Sequence, residues 1–214
     1  MKTPVGLIII SGMILLAVIS CKNSTESEST AVPVFTVTPI SITGPYNETN
    51  QTYGDVKFVA PVIQPFGVNH GDSLSPTIEY YTVPNAPVRG VTKGVVDTII
   101  YNQDNGDYTI RVICLPGSAY TVFYGHLVNV QVLKSSLVNP GDTIGQAGTW
   151  NSIMRRTYLQ VNYVNGSNTR AYCPLNFGDT SFVQQHRRLL MQYNALGFQP
   201  SYDTLCISGP ITPQ

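Results

Sequence analysis

The sequence predicts a mostly β protein, a compact antiparallel sandwich or barrel with one helix near its C-terminus. Three observations point to this class. Between Lys93 and Val164, short runs that alternate apolar and polar residues are separated by tight-turn sequences, the spacing of antiparallel sheets. The 214 residues include 18 Gly, 15 Pro and 13 Tyr, and only 11% are charged, against about 25% in ordinary soluble domains. Only Phe182 to Tyr193 shows apolar residues convincingly at helical spacing, the pattern of an amphipathic helix.

The charge balance excludes some functions outright. Twelve basic and twelve acidic residues cancel. A protein held on nucleic acid by phosphate neutralisation needs a basic surplus, so no nucleic-acid partner is expected. A coiled coil or a charged disordered tail would need many more charges.

The elements follow in chain order. Residues 1–20 read as a signal peptide: Lys2 supplies the positive start, and Val5 to Ile19 is an apolar run too short for a membrane span of about 20 residues. Val18-Ile19-Ser20-Cys21 resembles a bacterial lipobox, which makes Cys21 the expected lipidation site and the membrane the expected partner of that lipid. Residues 21–30 are polar and read as a flexible tether. Lys22 occupies the position where an Asp favours inner-membrane retention in enteric bacteria, so the expected location is the cell envelope, at the outer membrane. Residues 31–59 form an extended N-terminal segment. Val32, Val34, Thr36 and Thr38 alternate there between prolines, and Asn47 to Tyr53 reads as a polar loop.

The β-domain spans residues 60–164. Strands are expected at Lys93 to Tyr101, Asp107 to Leu115, Ala119 to His126, Leu127 to Leu133 and Thr157 to Val164. Turns fall at Asn102 to Gly106, Pro116 to Ser118 and Asn139 to Asp142. Tyr108, Ile110, Val112 and Cys114 share one side of their strand. In residues 165–214, Asp179 or Thr180 caps the helix and Gly197 ends it. Its face of Phe182, Val183, His186, Leu189, Leu190 and Tyr193 is expected to pack on the β-domain, the other reading being a partner-binding helix. Cys114 lies in an apolar run and reads as a buried thiol. Cys173 and Cys206 are candidates for a bridge, although spacing does not fix connectivity.

Three pieces of the β-domain carry a resemblance. They are Ala86-Pro87-Val88-Arg89-Gly90 leading to Gly94-Val95-Val96, then Tyr124-Gly125-His126-Leu127, then Val138-Asn139-Pro140-Gly141-Asp142 leading to Ile144-Gly145-Gln146-Ala147-Gly148. In order and spacing they resemble the lysostaphin-type zinc peptidases, the LytM-like domains with the duplicated hybrid motif. The resemblance implies a LytM fold of two packed sheets and a groove for peptidoglycan peptides. It also implies zinc that polarises the scissile carbonyl and activates water. The family's ligands are His and Asp of H-x-x-x-D and the last His of H-x-H.

This sequence departs from that set. The first slot falls on Ser75, the second on Glu79, and the third, in Tyr158-Leu159-Gln160, on Gln160. Ser and Gln are poor zinc ligands. Of the catalytic histidines only His126 stands in place. The expectation is therefore a degenerate member with no cofactor. Its groove would be lined by Ser75, Glu79, Tyr124, His126, Tyr158 and Gln160, and it would bind peptidoglycan or regulate an envelope hydrolase. The alternative is an active zinc endopeptidase with His126 catalytic and a shifted ligand set of His70, Glu79 and His126. His70 and Asp72 otherwise form a polar turn. Trp150, the sole tryptophan, either stacks on a groove ligand or anchors the core.

Overall fold

The computed structural model describes residues 31–58, 62–114, 118–197 and 201–213. The expected signal peptide, tether and lipidated Cys21 lie outside these residues. Among those described, no helix is long and apolar enough to cross a membrane.

A short meander of β1 (Tyr46–Asn47), β2 (Thr52–Tyr53) and β3 (Val56–Lys57) opens the fold. β4 (Ile63–Gln64), β5 (Ile78–Thr82) and β6 (Pro87–Arg89) follow. The long strands are β7 (Gly94–Asn102), β8 (Asp107–Cys114), β9 (Tyr120–Val128), β11 (Thr143–Thr149) and β12 (Arg155–Asn165). β10 (Leu137–Val138) and β13 (Asn168–Tyr172) complete the set, and α1 (Thr180–Ala195) follows. Among the described residues the thirteen strands form one antiparallel network in the order β1-β2-β3-β5-β12-β11-β9-β8-β7-β10, and the path does not close. β12 is the hub. It pairs with β9 along one edge and with β5 and then β13 along the other.

The two layers implied by the resemblance are joined rather than separate. β11 runs along β6, and only its last residues reach the main sheet, through β9 and β12. Val88, Ile144 and Ala147 from this pair share one core with Tyr124, Ile110 and Leu159 of the main sheet. That core also takes in Phe35 and Ile40 near the start of the chain, and Leu205 and Ile211 near its end. The described residues of the segments on either side, 31–58, 165–197 and 201–213, therefore share the core of the β-domain.

Several local expectations are corrected. Val32 and Val34 are 55% exposed while Phe35 and Thr38 are buried, so the N-terminal alternation is not kept as far as Thr38. Phe35 is held by a bridge to Gly178. The expected loop at Asn47 to Tyr53 has its ends paired as a hairpin. Of the separate strand expected at Leu127 to Leu133, only Leu127 and Val128 are in a strand, as the end of β9, and the chain leaves it at Asn129, whose φ is 48. β13 was not anticipated.

On β8, Ile110, Val112 and Cys114 are fully buried, as the alternation predicts, and burial pushes the Cys114 thiol up to about 12. Asp179 caps α1, accepting from the Phe182 amide at 2.7 Å. Phe182, His186, Leu189, Leu190 and Tyr193 are buried, with Phe182 against Phe35 and Tyr193 against Phe58. The stripe thus packs within the chain. Cys173 and Cys206 are bridged, with Cα atoms 5.8 Å apart.

Candidate functional site

Strand register assembles the site. Tyr158 on β12 stands opposite Glu79 on β5 and opposite Gly125 on β9. Side chains alternate across a strand, so Arg156, Tyr158 and Gln160 share a face with Glu79, Tyr81 and Phe123. The other face carries Ile78, Tyr80, Tyr124, Leu159 and Val161, all in the core. Apolar residues at these alternate positions bury one side of the sheet and leave a polar, aromatic side outward.

At one end of this face lies an ion pair. Glu79 is 6% exposed. Arg156 Nη1 donates to its Oε1 at 3.1 Å. The Arg156 guanidinium lies 4.1 Å from the centre of the Trp150 ring, a cation–π contact. Trp150 meets Tyr81 edge-on at 5.8 Å and stays 45% exposed. Of the two readings for this residue, the structure places it on the rim of the site, in the β11–β12 connection. Burial, followed by the Glu79 carboxylate, pushes the Tyr81 hydroxyl up to about 12. The Arg156 Nε is buried without a hydrogen-bond partner among the described residues.

Next to it is a hydrogen-bonded cluster. His126 Nδ1 lies 2.6 Å from Asp107 Oδ2; a carboxylate only accepts, so Nδ1–H donates. Asp107 is 2% exposed, and its Oδ1 accepts from Asn102 Nδ2 at 2.8 Å. Asn102 also donates to Thr109 Oγ1 at 3.1 Å, and Thr109 shares a 3.2 Å bond with the Tyr158 hydroxyl. The His126 ring stands edge-on to Tyr158 at 5.2 Å. Burial pushes the Tyr158 hydroxyl up and the Thr109 bond pulls against it, so the phenol stays protonated near neutral pH. His126 has φ 53, a conformation few non-glycine residues adopt. Such strain persists where surrounding structure over-determines it, and here the buried Asp107 does so.

Gly125 makes the cluster fit. A Cβ there would lie 1.9 Å from Tyr158 Cζ, so the ring lies across β9 only because the side chain is absent. Gly125→Ala is expected to swing Tyr158 away, breaking its bond to Thr109 and costing about 1–3 kcal/mol. Urea unfolding measures the cost, and ring-current shifts on His126 read the displacement. An unchanged His126 spectrum would contradict the packing.

The residues expected from sequence are only partly brought together. Glu79, His126 and Tyr158 meet as described. Ser75 is buried, 3.0 Å from the Thr77 hydroxyl. Gln160 shares the β12 face but donates to Asn162 at 2.9 Å. Tyr124 is corrected: it is fully buried on the opposite face, and its hydroxyl accepts from the Val91 amide at 2.9 Å. The intervening β9 parity puts it in the core and not in a groove. His70 is exposed and accepts from Gln64 Nε2 at 2.8 Å. Gln64 pairs with Glu79 across β4 and β5, so His70 comes near that edge. Even so, His70, Glu79 and His126 do not converge: among the described residues no three His, Cys, Asp or Glu are grouped to hold a metal. Arg156, Asp107, Asn102 and Thr109 were missed. The signal was available in part, since period 2 from Tyr158 puts Arg156 on the same face.

The residues present do not fit zinc. The three slots offer a hydroxyl, an amide and one carboxylate, whereas zinc takes imidazole, thiolate and carboxylate. That carboxylate already faces a guanidinium at 3.1 Å, whose positive charge opposes a dication at the same oxygen.

No protein-family model matches the chain, and no curated protein does. Solved structures are similar to it. LytU is 22% identical over 58% of this chain and 85% of that one, with a TM-score of 0.47. The catalytic domain of the antimicrobial peptidase lysostaphin from Staphylococcus simulans is 18% identical over 54% and 86%, at 0.43. Csd3 from Helicobacter pylori is 13% identical over 78% of this chain but 42% of its own, at 0.46.

Proposed function

We propose that this chain is a cell-envelope lipoprotein whose LytM-like groove binds peptidoglycan peptides, or a hydrolase that cuts them, without hydrolysing them itself. One observation carries the reading: Glu79, the carboxylate in the expected ligand slot, is paired with Arg156. The neighbouring slots hold Ser75 and Gln160, neither of which completes a zinc site. The exposed Trp150, Tyr158 and the His126–Asp107 pair give the face aromatic surface and directed polar groups, the composition of a ligand site. Lipid on Cys21 would hold this face near the cell wall, at the outer membrane.

The test is co-sedimentation of the mature chain carrying Cys21→Ser with purified sacculi, and pull-down of envelope hydrolases. Binding that a chelator leaves unchanged is the expected result. No affinity for either would remove the proposal. Chelator-sensitive release of muropeptides, lost in His126→Ala, would establish the zinc endopeptidase instead. Metabolic labelling with palmitate, lost in Cys21→Ser, checks the anchor.

A further inference from the structure

We propose that Arg156 is the built-in cation of this site: its guanidinium takes the counter-charge position against Glu79 that a divalent ion would otherwise hold, and offers its unused N–H groups to a carbonyl or carboxylate oxygen of a peptide. The ligand clause rests on the function proposed above; the cation clause does not.

Three observations converge. Glu79 is 6% exposed, and a carboxylate so buried requires a partner charge. Arg156 supplies it at 3.1 Å while Trp150 holds the guanidinium from its ring face at 4.1 Å. The position is enforced by β12–β5 register, which puts Arg156 opposite Tyr81 and one alternate position from the Tyr158–Glu79 pair. Second, the Arg156 Nε is buried and has no partner among the described residues. The side chain as a whole keeps 18% of its surface exposed, and a guanidinium fork matches a carbonyl or carboxylate oxygen. Third, His126 has its Nδ1–H committed to Asp107, which leaves Nε2 for a ligand. Tyr158 lies between the two, on the same strand face as Arg156 and edge-on to His126. A guanidinium on one side of Tyr158 and an imidazole nitrogen on the other are two polar anchors for the amide groups of an extended peptide. A guanidinium polarises an oxygen but carries no bound water to deliver, so such a site holds an amide without cutting it.

The experiment is zinc titration of two variants of the mature chain, Ser75→His/Gln160→His and the same pair with Arg156→Gln. Both rebuild a His, Glu, His set. With Arg156 present, no zinc is expected to bind at about 10 μM; without it, about one zinc per chain is expected. Equal zinc uptake by the two variants, or none by a folded triple variant, overturns the cation clause. Arg156→Lys in the wild-type background keeps the charge and loses the fork. It is expected to leave the thermal midpoint within about 3 °C and to weaken sacculus binding by about tenfold. Unchanged binding overturns the ligand clause. Should the triple variant not fold, zinc uptake by Ser75→His/Gln160→His decides the cation clause, since one zinc bound at about 10 μM with Arg156 in place overturns it. If the wild-type chain binds no sacculi, the proposed function fails while the zinc titration still decides the cation.

Discussion

Replacing Cys173 and Cys206 by serine is expected to lower the free energy of unfolding by about 4 kcal/mol, on a chain-entropy estimate for a loop of this length. The bridge spans a sequence separation of 33, and the whole of α1 lies inside that loop. The cross-link removes closure entropy from the unfolded chain. In the native state it joins the end of β13 to the tail, where Cys206 bridges to Phe66. A loss of this size corresponds to a fall of about 10 °C in Tm for a domain this large. Calorimetry of the wild-type and double-serine chains measures it, and a difference below about 1 kcal/mol would show that tertiary contacts already confine the loop. The site should feel the change, because α1 packs behind the strand that carries Glu79.

Acid is expected to unfold the protein through His186, with about 3 kcal/mol lost between neutral pH and pH 4. His186 Nδ1–H donates to the Phe182 carbonyl at 2.8 Å, and Nε2 therefore accepts from the Tyr80 hydroxyl at 2.9 Å. The ring is fully buried, and burial lowers its pKa from 6.5 to about 4. Between those values the unfolded chain binds a proton that the folded chain does not. Stability is therefore complete above about pH 6.5 and falls as pH drops toward 4. Other carboxylates titrate in the same range, so the measurement is a difference. Urea unfolding at pH 7 and pH 4 should show about 3 kcal/mol more loss in the wild type than in His186→Gln. Equal losses would mean that the imidazole finds solvent on protonation. Tyr80 alternates with Glu79 and Tyr81 on β5, so the helix contact on one face of the strand supports the ion pair on the other.

The elements that could be read in advance are those whose signal is local. β8 and α1 were legible because a period of 2 or 3.6 marks the buried face directly, as Ile110, Val112 and Cys114 on β8 and Phe182, His186 and Leu189 on α1 show. The turn at Asn102 to Gly106 was legible for the same reason, since Gly106 supplies the positive φ that closes it. β1, β2 and β3 were not, because two-residue strands carry no period at all. The buried side of the N-terminal segment was not legible either, because Val32 and Phe35 are equally apolar locally. Only the contact of Phe35 with Gly178, far along the chain, chooses between them.

The site divides along the same line. The resemblance to the lysostaphin-type peptidases put Ser75 and Gln160 where zinc ligands would stand, and that was enough to question the metal. It also singled out Glu79, His126 and Tyr158, which do meet. The partners of these residues come from other strands. Asp107 reaches His126 across the β8–β9 pairing, and Arg156 reaches Glu79 across β12 and β5. Which residue stands opposite which depends on register, and register is set by the burial of whole strand faces and by irregularities such as the shift between Tyr108 and Ile110. A one-residue slip would exchange the two faces. Composition and period therefore specify which residues can do chemistry, while the charge that faces each of them is set by long-range pairing, whose energy no local stretch of the chain contains.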